Sequence, residues 1–255
     1  MFDAVVISDL HLGSENCRAK ALVQFLEAVR DGRLGTRRLF LNGDVFDSID
    51  FRRLKKQHWK VLSLLRKLSD EIEITWINGN HDGPADTVSH LLGVEVVDEV
   101  VLASGGRRVL LLHGHRFDEF IERYPITSKL ADGVYRFLQW LDKSHTVARQ
   151  AKSKSKIFLR CVEKVQELSI QYARKRGCDV VCCGHTHHPV VAAADGVAYV
   201  NSGCWTERTC HYLTVLDGVV ELRAYHEETE VFHVSEGGSI GLLASMSSHI
   251  AAPTK

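Results

Sequence analysis

Short apolar runs along this chain end, again and again, in a small cluster of Gly, Asp, Asn and His. That recurrence constrains the fold more than any other feature. Ala4 to Ser8 (AVVIS) runs into Asp9-Leu10-His11, and Arg38 to Asn42 (RLFLN) into Gly43-Asp44-Val45-Phe46-Asp47. Ile72 to Asn78 (IEITWIN) precedes Gly79-Asn80-His81-Asp82, Val109 to Leu112 (VLLL) precedes His113-Gly114-His115, and Val180 to Cys183 (VVCC) precedes Gly184-His185-Thr186-His187. Short β-branched or continuously apolar runs closed by turn residues read as buried strands. Between them, Ala19 to Arg30 and Arg52 to Leu68 carry helical spacing. Strands alternating with helices predict an α/β fold, in which ligands collect beyond the carboxyl ends of the strands. The motifs are therefore expected to converge on one rim.

The residue types in those motifs set the chemistry. Carboxylate, imidazole and amide oxygen recur at spacings that suit two adjacent divalent cations, which together activate water and clamp a phosphoryl group during in-line displacement. Any one Asp-x-His is an ordinary turn, and a single His is as easily a satisfied core or turn residue. The whole set in one chain, each member closing an apolar run, points to a metal-dependent phosphoesterase. Mixed oxygen and nitrogen ligation suits manganese, iron or zinc better than calcium, and manganese is the favoured cation.

The rest of the chain bounds this reading. At 255 residues it is long enough for one substantial core. Lys plus Arg equals Asp plus Glu at 32 each, which argues against a general nucleic-acid coat. Seven cysteines without a repeated spacing read as reduced thiols. Cys178, Cys182 and Cys183 are read as small buried hydrophobes rather than a zinc cluster. There is no basic, apolar leader and no run near the roughly 20 apolar residues of a membrane span, so a soluble, cytoplasmic protein is expected. Residues 1–234 are expected to form one domain, with Asp118 to Gly177 as a helical insertion and 235–255, rich in Gly, Ser and Ala, as a poorly ordered tail. The insertion carries an apolar cluster (Tyr135, Phe137, Leu138, Trp140, Leu141), then a basic stretch with Arg149, Lys152, Lys154 and Lys156, then helical spacing from Ile157 to Ala173. Val197 to Asn201, His211 to Leu216 and Val219 to Tyr225 read as strands, the last two joined at Asp217-Gly218, a hairpin signal.

In order and in type, the motifs resemble the calcineurin-like metallophosphoesterase superfamily, over roughly residues 3 to 225. That resemblance implies a metallophosphoesterase-type β-sandwich of two mixed sheets flanked by helices, here with a helical lid insertion. It implies one cation on Asp9, His11 and His187, a second on Asn80, His113 and His185, and Asp44 bridging them. A bridging carboxylate offsets repulsion between two dications about 3.5–4 Å apart. His81, directly after Asn80, is then the acid that protonates the leaving oxygen. Asp47 matches the acidic partner that orients this histidine, and Asp82 is read as fixing the turn.

Within the superfamily, the insertion, the Gly43 to Asp47 box, the basic Ala151 to Lys156 segment and the turn Gly203-Cys204-Trp205-Thr206-Glu207 resemble the UDP-2,3-diacylglucosamine hydrolases, pyrophosphatases of lipid A synthesis. His81 stands where those enzymes usually carry Arg, and His115 where they usually carry Asp. The resemblance implies cleavage of a lipid-linked sugar nucleotide to UMP and an acyl-sugar 1-phosphate. The apolar cluster would hold acyl chains, Asp118, Arg149, Lys152, Lys154 and Lys156 would meet the head group, and the protein would rest peripherally on the inner face of a membrane. The insertion can equally be a helical hairpin with a solvated basic face. Protein phosphatase and cyclic-nucleotide phosphodiesterase are the alternatives within the class. Outside it stand a non-catalytic scaffold, disfavoured by the complete ligand set, and a nucleic-acid-acting protein, disfavoured by the neutral charge and few aromatics beside the basic stretch.

Overall fold

The computed structural model describes residues 1–83, 85–118, 156–226 and 231–239. Strands β1 (Ala4–Ile7), β2 (Arg38–Asn42), β3 (Glu73–Ile77) and β4 (Glu95–Val97) lie parallel side by side. Antiparallel β10 (Cys210–Leu216), β11 (Val219–His226) and β12 (Val231–Ser239) extend that sheet on the β1 side. The resulting seven-stranded order is β12-β11-β10-β1-β2-β3-β4. A second, five-stranded sheet runs β5-β6-β7-β9-β8, built from β5 (Glu99–Ser104), β6 (Arg107–Leu112), β7 (Val180–Cys183), β8 (Val190–Ala194) and β9 (Val197–Asn201). Helices α1 (Ala19–Arg30), α2 (Lys56–Leu68), α3 (Ala85–Leu92) and α4 (Lys156–Lys175) complete the described elements.

Strand periodicity sorts the apolar residues into layers. In β1, Val5 and Ile7 face one way and pack with Leu22, Phe25 and Leu26 of α1 and Val61, Leu65 and Leu68 of α2. Ala4 and Val6 face the other way and meet Val109, Leu111, Val180 and Cys182 of the second sheet. That sheet's outer face, with Leu110, Leu112, Val181 and Tyr199, packs on Ile170 and Ala173 of α4. Both faces of the central strands are thus covered, which is why they read as unbroken apolar runs rather than alternating ones. The layers are helices, sheet, sheet, helix. This is the expected sandwich of two mixed sheets, with the motifs at the ends of β1, β2 and β3 in one sheet and β6 and β7 in the other.

Two expectations need correction. The helix read over Arg52 to Leu68 starts at Lys56. Before it, Phe51–Arg53 is a 3-10 turn whose Arg52 amide donates to Asp50 at 3.2 Å, and Leu54 and Lys55 are extended. The boundary drawn at 234 falls inside β12, which pairs with β11 out to Ser239. Residues 240–255 lie outside the described residues, as does most of the insertion, 119–155. Among the described residues no helix is long and apolar enough to cross a membrane.

Candidate dinuclear metal centre

At the shared rim the backbone does something unusual. Asp9, His11, Asp44, His185 and His187 all adopt positive φ, between 47° and 64°. This is the left-handed region that L-residues avoid, and such outliers cluster where surrounding structure over-determines them. Here each one turns a strand end so that its side chain faces inward. The loops are zipped to each other through the main chain: the Asp9 amide donates to Gly43 O, the His11 amide to Asp44 O, and the Trp205 amide to Asp9 O, each at 3.0 Å. Asn42, fully buried at the end of β2, donates to Leu112 O at 3.2 Å and Cys182 O at 3.4 Å, and so ties the two sheets together beneath the site.

Two carboxylates are seated in the same way. Asp9 lies over Gly184 and accepts the His185 amide at 3.1 Å; Asp44 lies over Gly79 and accepts the His81 amide at 2.9 Å. A β-carbon on Gly184 would collide with the Asp9 carboxylate, and one on Gly79 with Asp44. The glycine of one motif therefore makes room for the carboxylate of another.

Around these carboxylates the donor atoms form two groups, Asp9–His11–His187 and Asp44–His113–His185, each with its atoms mutually within 4.8 Å. In the first, His187 Nε2 lies 3.1 Å from Asp9 Oδ1 and 3.0 Å from His11 Nε2. In the second, His113 Nε2 lies 3.4 Å from Asp44 Oδ2. Asp44 Oδ2 is also 3.8 Å from His11 Nε2, so this carboxylate reaches both groups. Asn80 sits on the exposed turn between Gly79 and His81.

The tautomers follow from fixed acceptors. A carbonyl can only accept, so His113 Nδ1, 2.8 Å from Asn42 O, carries a proton, and Nε2 is the nitrogen that faces Asp44 and offers a lone pair once the ring is neutral. That Nε2 is buried with no hydrogen-bond partner, as is His11 Nδ1. Buried orphaned nitrogens beside two buried carboxylates fit divalent cations. Burial opposes charge on Asp44, yet His113, His11 and His81 hold its carboxyl well below the usual range. Burial would lower His113 and His187, but Asp44 lifts the first to about 9, and Cys204 with Asp9 lifts the second to about 10. Burial and the neighbouring His187 push His11 down to about 4. Protons thus partly neutralise the carboxylates, a task cations can take over.

His81 lies at the edge, its side chain 43% exposed, with Nε2 4.0 Å from Asp44 Oδ2. Its orienting partner differs from the expectation. The backbone carbonyl of Asp47 meets His81 Nδ1 at 3.0 Å, whereas the Asp47 carboxylate accepts from Arg53 at 2.6 Å and stands 3.7 Å from His11 Nδ1. The carbonyl leaves His81 Nε2 as the nitrogen turned toward Asp44. Asp82, 1% exposed, is a fastening: it accepts from the amides of Gly79 (2.8 Å), Asp44 (3.0 Å) and Phe46 (3.1 Å) and from Trp76 Nε1 (3.1 Å). Burial and the nearby Asp44 charge push its pKa up against these donors. Trp76 was not visible in the sequence as part of the site, because a Trp in an apolar strand reads simply as core.

Asp118 is buried and its carboxylate is 2.9 Å from His185 Nε2. His115 lies tilted against His113, with ring centroids 5.5 Å apart; burial, with His113 and His185 alongside, pushes it down to about 4. Arg149, Lys152 and Lys154 lie outside the described residues, as does the apolar cluster from Tyr135 to Leu141; Lys156 opens α4.

Comparison with known proteins identifies the family. Residues 2–217 match the calcineurin-like phosphoesterase superfamily domain. The chain is 25% identical over 230 residues to the DNA polymerase II small subunit of Halobacterium salinarum (strain ATCC 29341 / DSM 671 / R1), a match covering 81% of this chain. It spans only 44% of that relative's length. Among solved structures it resembles Yfce, a phosphoesterase from E. coli, with a TM-score of 0.51, 18% identity, and coverage of 90% of this chain and 95% of that one. It also aligns with wild-type Vps29 complexed with Zn+2 from Entamoeba histolytica (TM-score 0.45, 14% identity, 91% of this chain and 96% of that one). The chain belongs to the calcineurin-like phosphoesterase superfamily.

Proposed function

We propose that this superfamily member hydrolyses phosphate esters or anhydrides with the help of two divalent cations, manganese being favoured and iron or zinc the alternatives. The observation that carries the reading is Asp44, whose one carboxylate reaches both donor groups while His81 faces it. Asp9, His11 and His187 would hold one cation; His113, His185 and the neighbouring Asn80 the other; Asp44 would join them. When bound, such a pair supplies Lewis-acid activation of water and of the phosphoryl oxygens. The chain's own part is then positional. His81, anchored through Nδ1, carries a proton at Nε2 to the departing oxygen, and the Asp82 fastening keeps the Asp44 and His81 turns in register.

For substrate, we favour a UDP-2,3-diacylglucosamine-like lipid-linked sugar nucleotide, cleaved to UMP and an acyl-sugar 1-phosphate. What supports this is the composition of the insertion: an apolar cluster and then a cationic one, the two surfaces an amphiphile with a phosphate head requires, and the two that would let the protein lie against a membrane. A second reading, a phosphodiesterase acting on nucleic acid, has α2 in its favour. From Phe51 to Ser69 there is no acidic residue, and Lys55, Lys56, Trp59, Lys60, Arg66 and Lys67 are all exposed, with one relative named for DNA polymerase. Manganese-loaded protein assayed against acylated UDP-glucosamine, the deacylated sugar nucleotide and single-stranded DNA separates the two. Preference for the acylated substrate is expected. Equal turnover of both sugar nucleotides removes the lipid reading, and cleavage of DNA alone installs the second.

A further inference from the structure

Asp118 closes the turn after β6, and nothing about a head-group role explains where its carboxylate points. It is 7% exposed and its Oδ2 lies 2.9 Å from His185 Nε2. An ionised carboxylate only accepts, so His185 donates from Nε2, and Nδ1 is the nitrogen left with a lone pair for a cation. The turn that carries Asp118 is itself clamped. Arg116 donates to Glu99 Oε2 at 3.0 Å and its guanidinium lies over the Tyr172 ring of α4, 5.6 Å from the centroid. Tyr172 donates its hydroxyl to the same Glu99 oxygen at 2.8 Å, and Arg176 pairs with the other at 2.8 Å. Phe117 packs on Tyr172 with ring centroids 5.7 Å apart, and Gly114 sits against Val165. One face of α4, from Val165 to Tyr172, together with Arg176 just past its end, therefore holds the 114–118 turn.

We infer that Asp118 is a positioning residue for His185, and that the Glu99–Arg116–Tyr172 clamp makes the second donor group answer to the placement of α4. This rests on the two-cation reading of the site. Fixing a ligand's second nitrogen sets its tautomer and ring angle, and loss of such a partner weakens a cation about 10–100-fold. The first group meets α4 less directly, through His188, beside His187, whose ring lies edge-on to Phe158 with centroids 6.4 Å apart. Whatever shifts α4, the helix by which the insertion returns to the core, would reach the second cation more strongly than the first.

The test is calorimetric titration of the cation-free full chain with Mn²⁺, supported by ¹⁵N spectra of its histidines. The wild type is expected to show two binding classes, and His185→Ala identifies the one it serves. Asp118→Ala should weaken that class alone by about 10–100-fold and mix the His185 tautomers, while Asp118→Asn, which keeps an accepting oxygen, restores most of both. Glu99→Gln should weaken the same class by about 2–10-fold. Equal weakening of both classes together with a lowered melting midpoint, or no change in either, overturns the proposal while the two-cation reading stands. A wild type that binds no Mn²⁺ overturns both.

Discussion

The two halves of the centre are built by one device and held by different ones. In each, a carboxylate rests on a glycine and takes the amide of a following histidine: Asp9 on Gly184 with His185, Asp44 on Gly79 with His81. Beyond that they diverge. The Asp9 half relies on side chains facing each other, with His11 and His187 nitrogens 3.0 Å apart and Asp47 3.7 Å behind His11. The Asp44 half is fastened to the scaffold, His113 by the main-chain carbonyl of Asn42 and the whole turn by Asp82. Side-chain contacts adjust to the charge between them, whereas a carbonyl at a strand end does not move without the sheet. The Asp44 half is therefore the preorganised one, and the Asp9 half the one that a cation would complete.

The largest effect should come from removing what the halves share. Asp44→Asn deletes the charge that reaches both groups, and breaking a buried pair costs about 3–5 kcal/mol. Bound manganese, measured by elemental analysis, should fall in both halves and turnover should be lost. If one equivalent stays bound at full affinity, Asp44 serves one half only.

His81→Ala tests the edge of the Asp44 half without touching a donor. Turnover of a poor leaving group should slow by about 10²–10⁴-fold at unchanged manganese content, and a good leaving group should recover most of the loss. Unchanged turnover of the poor leaving group would sink the acid assignment.

Gly184→Ala separates the halves directly. Its β-carbon meets the Asp9 carboxylate and Ser8, and such overpacking costs about 1–3 kcal/mol. The Asp9 half should lose affinity by roughly 10–100-fold while the Asp44 half keeps its own. Equal weakening of both in the same titration would show that the halves are mechanically one.

The smallest effect is on stability and pH. His113 is raised to about 9 and His187 to about 10. A raised imidazole stabilises the fold fully below its unfolded value near 6.5, and that contribution disappears as pH climbs through the folded one. The melting midpoint of cation-free protein should therefore decline between about pH 6.5 and 10, while cation affinity rises over the same window because fewer protons must be displaced. A flat midpoint would mean the carboxylates are not neutralised by these imidazoles.

Much of this was legible in the sequence, and unevenly so. The central strands announced themselves because both faces are buried, and the rim because each strand ends in a cluster of donor residues. β4, β5 and β8 were not anticipated: they lie at sheet edges, partly exposed, and their polar residues dilute the apolar signal. The Asp47 carboxylate was assigned to His81 because spacing reports which residues can meet, not which atom does so, and the carbonyl was the atom. Asp118 meets His185 across a separation of 67 residues, and Glu99 meets Tyr172 across 73, with no local pattern to mark either pair.

The left-handed strand ends carry one more consequence, which concerns how such a site could be lost. Asp, Asn and His are enriched in that conformation relative to other non-glycine residues, and they are also the residues that bind cations. Backbone and chemistry thus select the same side chains at 9, 11, 44, 185 and 187. Glycine would suit the backbone better at each, relieving about 1–3 kcal/mol of strain per position. In a descendant released from catalysis, such a replacement would relieve backbone strain while erasing a donor, and the relief would offset part of the cost of breaking a buried pair. Relaxed backbone at these positions is thus tied to lost chemistry, and a screen for variants with less strained strand ends would need turnover scored alongside.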